Sequence, residues 1–291
     1  MSIRLTFVTL FAICSFAVGQ QRSFSCPSCA EWNAQQSPFR IYGNTYYVGP
    51  HGLSSILITS DEGHVLIDGA LAESAGEIAT HIRQLGFRVE DVKLIVNSHV
   101  HFDHAGGIAE LQRLSGARIV ASKWSAEVMS KSGVARDDPQ FGVIPPIALI
   151  KHVEVLSDGQ TFNIGPIAMT AHLTPGHTPG GTSWTWQSCE GHKCLSFVYA
   201  DSLTAVSADG FKFSSVPSAI QNFQNSFSFL RSVSCDVLLT AHPDVSNFWE
   251  RVDARAKGVK PDAIVDTGAC RSLADRAENA FRKRIASETA Q

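Results

Sequence analysis

Apolar residues come along this chain in short runs separated by turn residues. Phe39 to Val48, Ser54 to Thr59 and His64 to Asp68 read as strands, with breaks such as Asp61-Glu62-Gly63 between them. Residues 72 to 86 have helical periodicity and stop at Gly86. Val92 to Asn97 is a continuous apolar run, as expected of a strand buried on both faces. A helix is predicted from about Asp103 to Leu114, and a strand over Arg118 to Ala121. The second half has the same character, with strands at Ala168 to Leu173, Thr182 to Gln187, Leu195 to Ala200 and Val237 to Thr240, and helices at 217 to 233 and 272 to 288. Strands and helices in both halves predict an α/β fold, two β-sheets packed together with helices outside, in one domain over residues 20 to 291. Residues 20 to 38 read as a polar N-terminal arm. The segment Arg136 to Pro146, with Asp137-Asp138-Pro139 and Pro145-Pro146, interrupts the pattern; its length suits either a functional lid or a surface insertion.

The first residues change the cellular setting. Arg4, an uncharged apolar stretch from Leu5 to Phe16, and Ala17-Val18-Gly19 together read as a secretory signal peptide over residues 1 to 19. The apolar stretch is shorter than the ~20 residues of a membrane span, so no membrane anchor is expected. The product is read as periplasmic or secreted, and as a monomer. Of seven cysteines, Cys14 lies in the leader, leaving Cys26, Cys29, Cys189, Cys194, Cys235 and Cys270. An even set in an oxidising compartment reads as disulfides, with 15 possible connectivities. Proximity favours Cys26–Cys29 and Cys189–Cys194, leaving Cys235–Cys270. A net charge of −3 argues against a nucleic-acid partner.

The chemistry concentrates in Ser98-His99-Val100-His101-Phe102-Asp103-His104-Ala105-Gly106-Gly107. His99 and His101 follow a predicted strand and, two apart in extended chain, project to the same side. Three histidines and an aspartate at this spacing would be costly to bury without a metal. Four ligands are too many for one open site, but two ions about 3.5–4 Å apart could share them, each taking one ligand from elsewhere. His177, after the strand ending at Leu173, and His242, after Val237 to Thr240, stand in suitable places. His64, His81, His152 and His192 read as structural or surface residues, His172 as packing, and His51 has no assignment.

These motifs resemble the metallo-β-lactamase superfamily, and within it subclass B3. The resemblance rests on His99-Val-His101-Phe-Asp103-His104, Pro175-Gly-His177 and His242. Tyr42 to Gly49, Leu66-Ile67-Asp68-Gly69, Thr174 to Trp186, Tyr199 to Thr204 and Thr240 to Pro243 extend it. It implies an αββα sandwich with the site at one edge. It implies two zinc ions, the first held by His99, His101 and His177, the second by Asp103, His104 and His242, with Asp103 also orienting the nucleophile. Ser202 and Thr204 would bind the substrate carboxylate. The implied reaction is hydrolysis of the amide of penicillins, cephalosporins and carbapenems by a zinc-bound hydroxide, conferring β-lactam resistance. The B3 pattern supports Cys235–Cys270 and, in some members, Cys189–Cys194. Some members pair the N-terminus with a cysteine in the Tyr-Val-Gly loop; Pro50-His51-Gly52 stands there instead, which leaves Cys26 to pair with Cys29. The alternative within the superfamily is a glyoxalase II-like thioesterase or lactonase with Asp201 as a bridging ligand; Asp201-Ser202-Leu203-Thr204 with its flanks fits B3 better. A non-catalytic zinc-binding role would usually come with lost ligands, and all six stand here.

Overall fold

Strands with apolar side chains on both faces need a core on each side, and the central strands of this chain have two. The computed structural model describes residues 24–290, so the predicted leader and Cys14 lie outside the described residues. In the first half the elements run α1 (Cys29–Trp32), β1 (Phe39–Tyr42), β2 (Thr45–Tyr47), β3 (Ile56–Ile58), β4 (His64–Ile67), α2 (Ala75–Gln84), β5 (Val92–Val96), α3 (Phe102–Ala105), α4 (Ile108–Ser115), β6 (Arg118–Ala121), α5 (Lys123–Lys131) and β7 (Val153–Val155). The second half adds β8 (Thr161–Ile164), β9 (Ile167–Leu173), β10 (Thr182–Glu190), β11 (Lys193–Ala200), α6 (Pro217–Ser232), β12 (Val237–Thr240), α7 (Phe248–Ala256) and α8 (Ala269–Thr289).

β1 to β7 form one sheet in sequence order, antiparallel up to β4 and parallel from there on. The second sheet has the order β12-β11-β10-β9-β8, and its β11–β12 pair is parallel. Alternate side chains sort into separate cores. Ile56, Ile58, Val65, Ile67, Leu94 and Val96 face the second sheet and pack with Met169, Trp184, Trp186, Phe197, Tyr199 and Leu239. Leu57, Leu66, Ile95 and Ile119 point the other way, onto Ile78, Ile82, Ile108 and Leu111 of α2 and α4. Val198, Ala200 and Leu238 meet Phe223, Phe227, Leu230 and Phe281 of α6 and α8. The result is the four-layer αββα sandwich.

The run from Phe39 to Val48 is a tight hairpin rather than one strand, turning at Gly43 with φ +51. A Cβ on Gly43 would come within 2.6 Å of Ser188 Oγ. The predicted helix from Asp103 to Leu114 is two helices broken at Gly106-Gly107. A Cβ on either glycine would lie 2.2 Å from a carbonyl oxygen, of Phe102 and Gly69 respectively. α5, α7, β7 and β8 were not apparent from the pattern. β7 and β8 are largely unburied edge strands with little apolar signal.

Three cysteine pairs stand at bonding distance: Cys26 with Cys29, Cys189 with Cys194, and Cys235 with Cys270. The second pair is opposed across the β10–β11 hairpin. The third ties the start of β12 to the start of α8. Among the described residues, no helix is long and apolar enough to cross a membrane.

Candidate metal centre

β5 delivers the chain to the edge of the sandwich, and the first candidate ligand, His99, stands three residues past its end. His101 caps α3: its carbonyl accepts from the backbone N–H of His104 (3.0 Å) and Ala105 (2.8 Å). This tight turn carries Asp103 and His104 back beside His99, whose ring centroid lies 4.5 Å from that of His104. The glycine pair then lets the chain pass against Gly69 and Ala70. His177 enters from the loop after β9, and its ring lies 4.8 Å from that of His99 and 4.9 Å from that of His101. His242 follows β12, 4.8 Å from the His104 ring. All six predicted ligands therefore meet at one edge.

The outer nitrogens of the first three histidines are each held. His99 Nδ1–H donates to Asp201 Oδ1 at 2.7 Å. His101 Nε2–H donates to Asp138 Oδ2 at 3.0 Å. His177 Nδ1–H donates to the Thr204 carbonyl at 2.8 Å. Each contact fixes a tautomer and leaves the other nitrogen with its lone pair turned inward, the usual support for a metal-ligating histidine. His99 Nε2 is buried and has no hydrogen-bond partner among the described residues. A buried polar atom left unpaired costs about 1–3 kcal/mol. His104 Nε2 is likewise without a hydrogen bond, although Asp103 Oδ2 lies 3.2 Å away.

Burial, with neighbouring histidines adding to it, holds His99 well below its ordinary pKa and takes His177 down to about 3. These are the neutral imidazoles a metal requires. Burial opposes ionisation of Asp103, but His104 and His242 outweigh it and hold the carboxyl well below its usual range. Burial also pushes the Asp201 carboxyl well above its range. A cation on the inner nitrogen of His99 is what would keep that pair as carboxylate and Nδ1–H.

The candidate ligand atoms form two groups, His99–His101–His177 and His99–Asp103–His104, each with its donors within 4.8 Å of one another. His242 completes the second side, its Nε2 3.4 Å from Asp103 Oδ2. The orphaned Nε2 of His99, the neutral imidazoles of His99 and His177 and the ionised Asp103 carboxylate fit a metal of borderline softness.

Several contributors were not assigned roles by the sequence. Asp138 and Gln140 come from the irregular Arg136 to Pro146 segment. Asp138 is buried against His101, and Gln140 Nε2 stands 3.4 Å from both His101 Nδ1 and His177 Nε2. The segment thus supports the site as well as covering it. Asp68, at φ +58, accepts from Ser98 N, Ser98 Oγ and Tyr199 OH, each at 2.7 Å, and lies 3.9 Å from His104 Nδ1. Trp32 of the arm packs on His242 with ring centroids 5.3 Å apart. Asp201 lies behind His99 rather than among the inward donors.

Ser202 and Thr204 line a cleft of about 220 Å³ beside the candidate ligands, walled by Trp32, Phe102 and Ile144. Thr204 Oγ1 stands 3.1 Å from His177 Nδ1, so its hydroxyl is turned to the ligand rather than into the cleft. His172 packs on Phe229 and contacts Thr185 Oγ1, and His51 stacks on Trp249.

A family model of the metallo-β-lactamase superfamily matches residues 48–190. Among solved structures, the Rm3 metallo-β-lactamase superposes with a TM-score of 0.88 at 53% identity, over 91% of this chain and 99% of that one. MEM-A1, a subclass B3 metallo-β-lactamase from a soil metagenome library, does so with a TM-score of 0.86 at 47% identity, over 89% and 99%. Among curated proteins, the probable metallo-hydrolase YflN of Bacillus subtilis (strain 168) is 31% identical over 132 residues, 41% of this chain and 49% of that protein. The chain spans about half or less of the length of the curated relatives it matches. With nearly the whole of two solved relatives covered at such identity, the chain belongs to the metallo-β-lactamase superfamily, in its subclass B3.

Proposed function

We propose that this chain is an exported β-lactamase that opens the β-lactam amide with two zinc ions, and so protects its host from β-lactam antibiotics. One observation carries the reading: three histidines, braced from behind by Asp201, Asp138 and Thr204, turn their other nitrogens inward, beside a cleft lined by His101, His177, Asp103, His242 and Ser202. Zinc bound there supplies Lewis acidity and lowers the pKa of water toward about 7.

The chain's own residues do the rest. His99, His101 and His177 would hold one ion, and Asp103, His104 and His242 the other. Asp103 Oδ2 lies between two histidine nitrogens and stays ionised, so it accepts a hydrogen bond from the attacking water and sets its orientation. Ser202 donates to the substrate carboxylate. Thr204 serves first by holding the tautomer of His177, with its carbonyl as acceptor. Trp32, Phe102 and Ile144 present apolar walls that keep bulk water from the reacting amide. The leader at residues 1 to 19, cut near Gly19, would place the enzyme in the periplasm or medium, and the three cysteine pairs suit that compartment.

The thioesterase or lactonase reading needs Asp201 among the inward-facing ligands. Its Oδ1 is committed to His99 Nδ1, the nitrogen that faces away from the other candidate ligands, and its Oδ2, buried and without a hydrogen-bond partner among the described residues, belongs to neither group of converging donors. The deciding experiment measures hydrolysis of a carbapenem and of a glutathione thioester by zinc-loaded protein, with and without chelator. Carbapenem turnover abolished by chelator is expected. Thioester turnover without β-lactam turnover would overturn the proposal.

A further inference from the structure

The cleft does not end at Thr204. Leu203, Thr204, Val206, Val245 and Leu273 also line a second cavity of about 320 Å³ on the far side, bounded by α8. Leu203 and Leu273 form a buried floor, while Val206 and Val245 are 50% and 41% exposed along the rim. Exposed apolar side chains gathered beside a polar site mark a ligand surface better than isolated ones do. From α8 come Leu273, Arg276, Ala277, Ala280 and Arg284, spaced three or four apart and hence on one helix face.

The two arginines differ. Arg284 is held by Glu288, Ser207 Oγ and the Phe211 carbonyl. Arg276 is exposed, pairs with no carboxylate among the described residues, and makes one side-chain hydrogen bond, to the Val245 carbonyl at 3.2 Å. The shelf therefore offers an apolar floor and one guanidinium with no carboxylate partner among the described residues.

We propose that this shelf is a specificity subsite for the substituent that neighbours the substrate carboxylate, and that Arg276 favours substituents with an apolar body and an acidic tip. The proposal rests on the β-lactamase reading above. With the carboxylate at Ser202, a group on the adjacent ring carbon lies beside Thr204, the wall that both cavities share. Positive charge on the rim then selects for negative charge on that group.

The test uses three cephalosporins with one acyl side chain and different groups next to the carboxylate: methyl, a carboxymethylated heterocycle and a cationic pyridinium. KM and kcat are measured for the zinc-loaded wild type and for Arg276→Ala, Arg276→Glu and Arg276→Lys. For an exposed charge pair, Arg276→Ala should raise the ratio of acidic-member KM to methyl-member KM roughly two- to fivefold. Arg276→Glu should raise it further and favour the pyridinium, Arg276→Lys should restore it, and kcat ratios should hold. If the three KM values move together, or the acidic ratio stays fixed, the subsite is refuted. A parallel ligand-observed NMR titration of metal-free protein with 4-phenylbutyrate needs no turnover. Weaker binding to Arg276→Glu than to wild type supports the shelf, and equal binding refutes it. A wild type that hydrolyses none of the cephalosporins yet shows this difference would sink the β-lactamase reading and leave the shelf standing.

Discussion

The two halves of the ligand set are built differently. On the His99 side, all three rings are buried and each outer nitrogen has an acceptor within 3.0 Å. On the His104 side, the nearest carboxylate behind His104 Nδ1 is 3.9 Å away, and His242 keeps 26% of its side chain exposed with an aromatic ring as its neighbour. A braced ligand has already lost its rotamer freedom when the metal arrives, while a loose one must lose it on binding. The difference argues that the first half binds metal tightly and the second half weakly.

Four experiments can break or sharpen that contrast. The largest effect should come from His101→Ala, which removes a proposed ligand and leaves the buried Asp138 with only the Gln140 backbone N–H as donor among the described residues. β-Lactam turnover should fall by more than about a hundredfold, beyond the roughly 10- to 100-fold typical of an outer partner. Zinc content should fall with it; an undiminished stoichiometry by elemental analysis would contradict the ligand assignment.

Metal removal comes next. On the two-site proposal, a graded chelator titration of zinc-loaded protein should release metal in two phases, from Asp103–His104–His242 first, with affinities at least about tenfold apart, or ~1.4 kcal/mol. Cobalt substitution makes the order visible, because each site has its own ligand-field spectrum. A single phase would erase the contrast.

Asp138→Asn and Asp201→Asn each remove a charged acceptor behind one histidine. Each should cost roughly 10- to 100-fold in affinity at the first site and far less at the second. An equal loss at both would mean that the braces act on the fold as a whole.

Much of this was legible in the sequence because the candidate ligands are of chemistry-specific types at short spacing. His99, His101, Asp103 and His104 announce themselves within six residues, and His177 and His242 each follow a readable strand. The braces do not. Asp138 and Asp201 are two among 27 acidic residues, and only the folded chain shows that they are buried behind histidines. The irregular stretch from Arg136 to Pro146 did mark where one of them lies, without saying what it does. Fold class followed from continuous apolar runs, while the glycine break after Ala105 was hidden because His101 to Ser115 keeps helical composition on both sides of it. The polar composition of residues 20 to 38 suggested an arm and gave no sign that Trp32 reaches the site.

Trp32 supplies the smallest effect and the sharpest test. The arm is docked closely: Gly52 N–H donates to the Trp32 carbonyl at 3.0 Å, and a Cβ on Gly52 would lie 2.5 Å from the Trp32 Cα. The indole is thereby held against His242, and Phe102 lies 6.3 Å from it on α3. An aromatic contact of this kind is worth about 1 kcal/mol, a factor of about five in an equilibrium. Trp32→Ala should therefore weaken the second site severalfold while the first keeps its affinity, and Trp32→Phe should recover most of the loss. The readout is a two-site metal titration followed by cobalt absorption. If both sites weaken together, the indole stabilises the edge of the sandwich. If only the second moves, the arm supplies the brace for His242, whose one carboxylate contact among the described residues is the fellow candidate ligand Asp103.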